Sequence, residues 1–168
     1  MQIGAGSEPE QGMDEPLRSF WMGGIEGADH INSQQVPLDM TAACGHRQHL
    51  DEDFRQLAAW GIRSVRESVG WRLSECNGHM DLRGAIDIAR AARAHGIQVL
   101  WTLMHYGTPD DVSLLDEHFP DRFARFAARA AIELGEWTEG PPVYTPVNEI
   151  SFLSWAVSET RMLHPYGP

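Results

Sequence analysis

The feature that most constrains this chain is an alternation. Short apolar runs of strand length are followed by longer amphipathic runs of helical spacing, and the cycle repeats. Phe20 to Ile25 reads as a strand. Residues 49–60 place Leu50, Phe54, Leu57 and Ala58 at helical spacing and stop at Gly61. Ile62 to Glu67 alternates like a strand. Residues 82–95 set Leu82, Ile86, Ala89 and Ala92 or Arg93 along one stripe that ends at Gly96. Ile97 to Leu103 is a mostly apolar run, as expected of a strand buried on both faces. Residues 119–134 give a further helix with Phe123, Phe126, Ala127, Ala130 and Leu134 as its inner side. Pro142 to Val147 is a last strand, in which Pro146 lacks a ladder donor and so asks for a strand end or a bulge.

The junctions Trp60-Gly61-Ile62-Arg63 and His95-Gly96-Ile97-Gln98 share a pattern, each with glycine closing a helix just before a strand. Repeated βα units of this kind predict an α/β fold with a parallel sheet and right-handed crossovers. Four such units make the N-terminal half of a (β/α)8 (TIM) barrel, and 168 residues fall short of the roughly 250 of a whole one. A half barrel leaves two strand edges open. The expected partner is therefore the missing C-terminal half barrel or a second copy in a homodimer. Residues 1–18, rich in Gly, Glu, Gln and Pro, are expected to form a flexible leader, and residues 19–168 the half barrel. The stretch after Glu149 begins as an apolar helix and runs into a Pro- and Gly-containing tail unlike a domain terminus, so a fragment is expected.

Composition narrows the function classes. The formal charge of −11 repels phosphate backbones and anionic lipid surfaces, which argues against nucleic-acid and membrane partners and leaves neutral substrates open. No apolar run reaches the roughly 18 residues of a membrane helix. The N-terminus has neither the basic nor the apolar region of a signal peptide, and the two cysteines, Cys44 and Cys76, form no disulfide framework. Both point to a reducing, cytoplasmic setting.

In parallel βα folds the chemistry sits at the carboxyl ends of the strands. Here the first strand ends in Glu26-Gly27-Ala28-Asp29-His30, and the second carries Arg66-Glu67 with Trp71 beyond it. The third ends in His105-Tyr106 and the fourth in Asn148-Glu149. Apolar strands with polar and aromatic ends are more than a structural barrel needs. Strand alternation points Glu67 away from the side that Arg66 faces. No cofactor is implied: Gly23-Gly24-x-x-Gly27 has neither the Walker lysine nor dinucleotide spacing, and there is no Gly-x-Ser-x-Gly elbow. No metal is implied either, because Cys44, His46 and His49 lack a clear fourth zinc ligand.

Three features carry a family resemblance. They are Asn148-Glu149 after a strand, the segment Thr102-Leu103-Met104-His105-Tyr106-Gly107-Thr108-Pro109 at the preceding strand, and Arg66 followed by Trp71. In this order and spacing the chain resembles clan A of the glycoside hydrolases, most of all the family 1 β-glycosidases, over about residues 19–155. The resemblance implies a retaining hydrolase of β-linked O-glycosides, with a small-molecule carbohydrate as substrate. Glu149 would be the general acid and then general base, which requires a carboxyl held protonated near neutral pH. Arg66 would orient the nucleophilic carboxylate, Asn148 would bind the sugar 2-hydroxyl, and His105 another hydroxyl. Tyr106 stands where the family often has Trp. Trp71 would line a sugar subsite or cover the barrel rim, whereas Trp101, inside a strand, belongs to the core. Glu26 falls near the family's hydroxyl-binding Gln at the end of the first strand, with Asp29 and His30 as alternatives. The nucleophile of this family comes from a late strand, beyond residue 168. The other function class is a non-catalytic half barrel that binds sugar or pairs with another half.

Overall fold

The computed structural model describes residues 16–166. In chain order the elements are β1 (Met22–Gly24), α1 (Met40–Ala43), α2 (His46–Ala59), β2 (Ser64–Ser68), α3 (Trp71–Ser74), β3 (Glu75–Cys76), β4 (His79–Met80), α4 (Arg83–Ala94), β5 (Gln98–Met104), α5 (Phe119–Gly135), β6 (Val143–Val147) and α6 (Ile150–Ser158). Four strands form one sheet in the order β1-β2-β5-β6, every neighbour parallel, while β3 and β4 make a small separate hairpin. This is the α/β arrangement that the alternation predicts, four βα units of a (β/α)8 barrel.

The helices stop where glycine allows it. Gly61 and Gly96 follow α2 and α4 with φ of +79° and +66°, left-handed values that cost a β-carbon strain and cost glycine little. α4 buries Ala85, Ile88, Ala89 and Ala92. Its stripe is thus turned slightly from the expected one, with Ile88 rather than Ile86 fully inside. α5 buries Phe126, Ala130 and Leu134 as expected, with Phe123 and Ala127 partly covered. β1 is shorter than its apolar run: Phe20 and Trp21 lie outside it and are 91% and 74% exposed at the sheet edge.

The sheet has two unlike faces. Val65, Val99, Trp101 and Leu103 face the helices and join Phe54, Ile88, Ala92, Phe126, Ala130 and Leu134 in a single apolar core. Each valine, leucine, isoleucine or phenylalanine among them contributes about 1.5–3 kcal/mol on removal from water. The other face, which becomes the lumen of a barrel, carries polar side chains in register. Ser64 Oγ donates to Gln98 Oε1 at 3.0 Å, and one level higher Arg66 Nε donates to Thr102 Oγ1 at 2.9 Å. β5 is buried along its whole length, as its composition predicts. Pro146 is accommodated because β6 is an edge strand, with β5 on one side only.

Residues 1–15 of the expected leader lie outside the described residues. Pro16 and Arg18 are held at the amino end of the sheet. The Arg18 N–H donates to Ser64 Oγ at 2.9 Å, and Gln98 Nε2 donates to the Pro16 carbonyl at 2.8 Å. Cys44 and Cys76 are exposed free thiols. Among the described residues no helix is long and apolar enough to cross a membrane.

Candidate active site

Parallel strands deliver their carboxyl ends to one rim, and four of the predicted residues meet there. The Arg66 guanidinium, rising from β2, donates from Nη2 to Asn148 Oδ1 at 2.5 Å. The other end of that amide, Asn148 Nδ2, donates to the Tyr106 hydroxyl at 2.7 Å. The hydroxyl in turn donates to Glu149 Oε2. The chain of donors runs one way, from a fixed cation through an amide and a phenol to a carboxylate. Asn148 can hold both partners only in the amide orientation that presents Oδ1 to the guanidinium. Asn148 is buried and Glu149 is exposed at the open β6 edge.

Two backbone conformations make the arrangement possible. Tyr106 has φ of +77° and Glu149 φ of +43°, both left-handed and both at the first position past a strand end and its polar neighbour. For residues with a β-carbon this costs about 1–2 kcal/mol each, a cost that recurs where a side chain must be aimed. Burial, and then the hydrogen bond to Glu149, push the Tyr106 phenol up to about 12, so the hydroxyl stays a donor at any physiological pH.

His105 is buried beside this chain, its ring edge-on to Tyr106 at 5.0 Å. Burial lowers its pKa and Glu26 partly restores it, so the ring is mainly neutral near pH 7 and can both donate to and accept from a hydroxyl. Glu26 lies 3.7 Å from His105 Nε2, and its Oε1 accepts the Ala28 N–H at 2.8 Å. It is therefore at the rim, partly engaged with its own loop. His30 stands edge-on to Tyr106 at 5.9 Å.

Trp71 is the exception among the expected site residues. It does not line the rim: it is fully buried, stacked on Phe126 at 5.2 Å with Phe119 and Phe123 around it. Its Nε1 donates to buried Glu75 Oε2 at 2.7 Å. Gly70, with φ of +71°, turns the chain into α3 so that the ring passes under α5, and Trp71 is a core residue. Trp101, expected in the core, is there.

The residues considered for zinc are not brought together. His46 is buried with Nδ1 at 2.6 Å from Asp53 Oδ2 and Nε2 at 3.0 Å from Glu67 Oε1, whereas Cys44 and His49 are exposed. Among the described residues no cluster of three or more His, Cys, Asp or Glu side chains is placed to hold a metal ion. Glu67 points to the helix side, away from the rim, as strand alternation requires. The His46–Glu67 pair went unforeseen, although a charged residue in a strand flanked by core valines is its signal. Asp29, the alternative to Glu26 as a hydroxyl-binding residue, is fully buried.

No protein-family model matches the chain. A β-glucosidase of Arabidopsis thaliana, Beta-glucosidase 8, is 28% identical over 123 residues, which are 68% of this chain and 24% of that protein. Among solved structures, a psychrophilic β-glucosidase from Micrococcus antarcticus superimposes with a TM-score of 0.70 at 17% identity, over 87% of this chain and 36% of that one. A β-glucosidase from Thermotoga maritima, solved with castanospermine, gives 0.66 at 19% identity, over 82% of this chain and 37% of that one. The fold is thus a portion of a glycoside-hydrolase barrel. The chain resembles the family 1 β-glycosidases in particular, and it spans about a quarter of the curated relative's length.

Proposed function

We propose that this chain is the acid/base-bearing half of a retaining glycoside hydrolase acting on β-linked O-glycosides. The observation that carries the reading is the placement of Glu149 at the end of β6, tied through Tyr106 and Asn148 to Arg66. On this reading Glu149 protonates the leaving oxygen and later takes a proton from water. Asn148, His105 and Glu26 bind sugar hydroxyls, and Tyr106 holds Glu149 in its working direction. Arg66, at the centre of the lumen face, orients a nucleophile that residues outside this chain supply, about 5–5.5 Å from Glu149 as retention requires. Residues 19–168 form the N-terminal half of the barrel, and a C-terminal half closes the β1 and β6 edges. The exposed Phe20 and Trp21 at β1 favour such closure over a free edge.

The test is hydrolysis of aryl and alkyl β-glucosides by the full-length polypeptide that contains these residues. Turnover with retained anomeric configuration, lost in Glu149→Gln, is expected. A full-length polypeptide that binds castanospermine but hydrolyses neither substrate would move the reading to a sugar-binding barrel.

A further inference from the structure

Asp29 is fully buried at the exit of β1, and its backbone amide, its backbone carbonyl and its carboxylate Oδ1 each bond to another segment, while Oδ2 has no partner. Its N–H donates to the His105 carbonyl at 3.3 Å. The Gly107 N–H donates to Asp29 Oδ1 at 3.1 Å. Residues 105 and 107 are therefore both fastened to one residue, and Tyr106 lies between them. The Arg72 guanidinium donates to the Asp29 carbonyl and, at 2.5 Å, to that of Leu38, which fixes Asp29 from below. The approach is close enough that a β-carbon on Gly107 would stand 2.5 Å from the Asp29 carbonyl oxygen and 2.7 Å from Oδ1. Only glycine fits there.

The geometry points to Asp29 as a positioning residue, whose clamp on His105 and Gly107 holds Tyr106 in the left-handed conformation from which its hydroxyl reaches Glu149. A left-handed tyrosine is otherwise disfavoured, and a turn released from both ends would relax toward ordinary φ values. Three groups hold the ring itself in place: His105 and His30 edge-on, and Phe152 at 5.5 Å. They set where the ring lies, while the clamp sets the backbone from which it springs. The carboxyl suits this task because burial raises its pKa to about 7, against the opposing pull of the Gly107 hydrogen bond and Arg72. Below that pH the acid is neutral and accepts the Gly107 N–H without burying a full charge. Asparagine, with the same shape and a carbonyl acceptor, should do the same work, and alanine should not.

The role in catalysis rests on the glycosidase reading, but the positioning does not, and the experiment separates them. The tyrosine Cζ resonances of the full chain are measured by NMR in the wild type and in Asp29→Asn and Asp29→Ala, with Tyr106→Phe for assignment. The expected result is a Tyr106 signal that keeps its carboxylate-bonded position in Asp29→Asn and moves in Asp29→Ala, while Tyr144 and Tyr166 stay put. An unmoved Tyr106 signal in Asp29→Ala, or the same movement in both variants, overturns the proposal. Should Asp29→Ala fail to fold, wild-type amide exchange decides. Gly107 is expected to exchange slowly, as a donor to a buried acceptor, and exchange as fast as an open loop overturns the clamp. In the active full-length polypeptide, Asp29→Ala should lower kcat with little change in KM, and Asp29→Asn should restore most of it. If no glycoside is turned over at all, the glycosidase reading fails and the tyrosine signal still judges the clamp.

Discussion

Tyr106 and Glu149 stand 43 residues apart in the sequence, both hold left-handed backbone conformations, and the phenol of the first donates its hydrogen to the carboxylate of the second. Each follows the polar residue that ends a parallel strand, so two adjacent strands present matching strained corners. Strain at both ends of one hydrogen bond implies that the pairing direction matters more than local comfort.

Tyr106→Phe removes that bond together with the one the hydroxyl accepts from Asn148 Nδ2. The ring keeps its packing against His105 and Phe152, and only the hydroxyl is lost. Stability should fall by about 1–3 kcal/mol in a thermal or denaturant melt, because the buried Asn148 amide loses its acceptor. In the full-length polypeptide kcat on alkyl β-glucosides should fall about tenfold, the equivalent of about 1.4 kcal/mol of transition-state stabilisation. A raised KM with unchanged kcat would instead make Tyr106 a substrate contact.

Glu149→Gln removes the proton but keeps the shape and an acceptor for Tyr106. Glycosides with poor leaving groups should lose on the order of 10²–10⁴ in rate, the usual contribution of general acid catalysis. An activated aryl leaving group needs little protonation, so its first step should suffer far less. The comparison of kcat/KM for the two substrates is the check, and equal damage to both speaks against an acid role.

The strand-end residues were legible in the sequence because the pattern of strands fixes where strands end. Arg66, His105, Asn148 and Glu149 needed only the period and the polarity switch to be singled out, and Tyr106 came with His105. Trp71 was not legible. Its partners Phe119, Phe123 and Phe126 lie some fifty residues downstream, and nothing local tells a buried indole from one on the rim. Asp29 sits in a glycine-rich stretch without periodicity, so its position along the rim had no reference until β1 and β5 were side by side. His46 was grouped with Cys44 and His49 by nearness alone. The informative spacing was to Asp53, seven residues on, which the kink of α2 at His49 brings within hydrogen-bond reach of His46.

Between them, His46, Asp53 and Glu67 make a pH-dependent contribution to stability. Both ring nitrogens face carboxylates, so a proton must be shared between His46 and Glu67 for the inner contact to be a hydrogen bond. Burial opposes the charge on His46, but the hydrogen bonds to Glu67 and Asp53 carry its pKa above the usual value, and burial raises that of Glu67. Both groups bind protons more tightly folded than unfolded. Their contribution is therefore present at mildly acidic pH and is lost as pH rises through the raised folded values. The wild type should lose melting temperature as pH rises past the ordinary histidine value of about 6.5, and His46→Gln should flatten that dependence. His46→Ala should cost about 3–5 kcal/mol, because Glu67 is left buried without its partner. A His46→Gln variant with the same pH slope as the wild type would remove the trio from the account.

Asp29 adds a term of the same sign over a different window. Its carboxyl is raised from 3.8 to about 7, chiefly by burial. The folded state therefore binds a proton that the unfolded chain has released, and stability falls as pH climbs from about 4 through about 7. The full effect is of order 4 kcal/mol at most, at about 1.4 kcal/mol for each pKa unit. An asparagine side chain at this position has no ionisable proton and escapes this loss. Asp29→Asn should then gain stability relative to the wild type between pH 5 and pH 8, read as the difference in denaturation midpoint between variant and wild type at each pH. The opposite pattern, a variant weaker at pH 8 than at pH 5, would mean that the fold favours the ionised carboxylate over the neutral acid and holds it with Arg72. The clamp on Gly107 would then be a charged one, and asparagine would be a poorer substitute for it than its shape suggests.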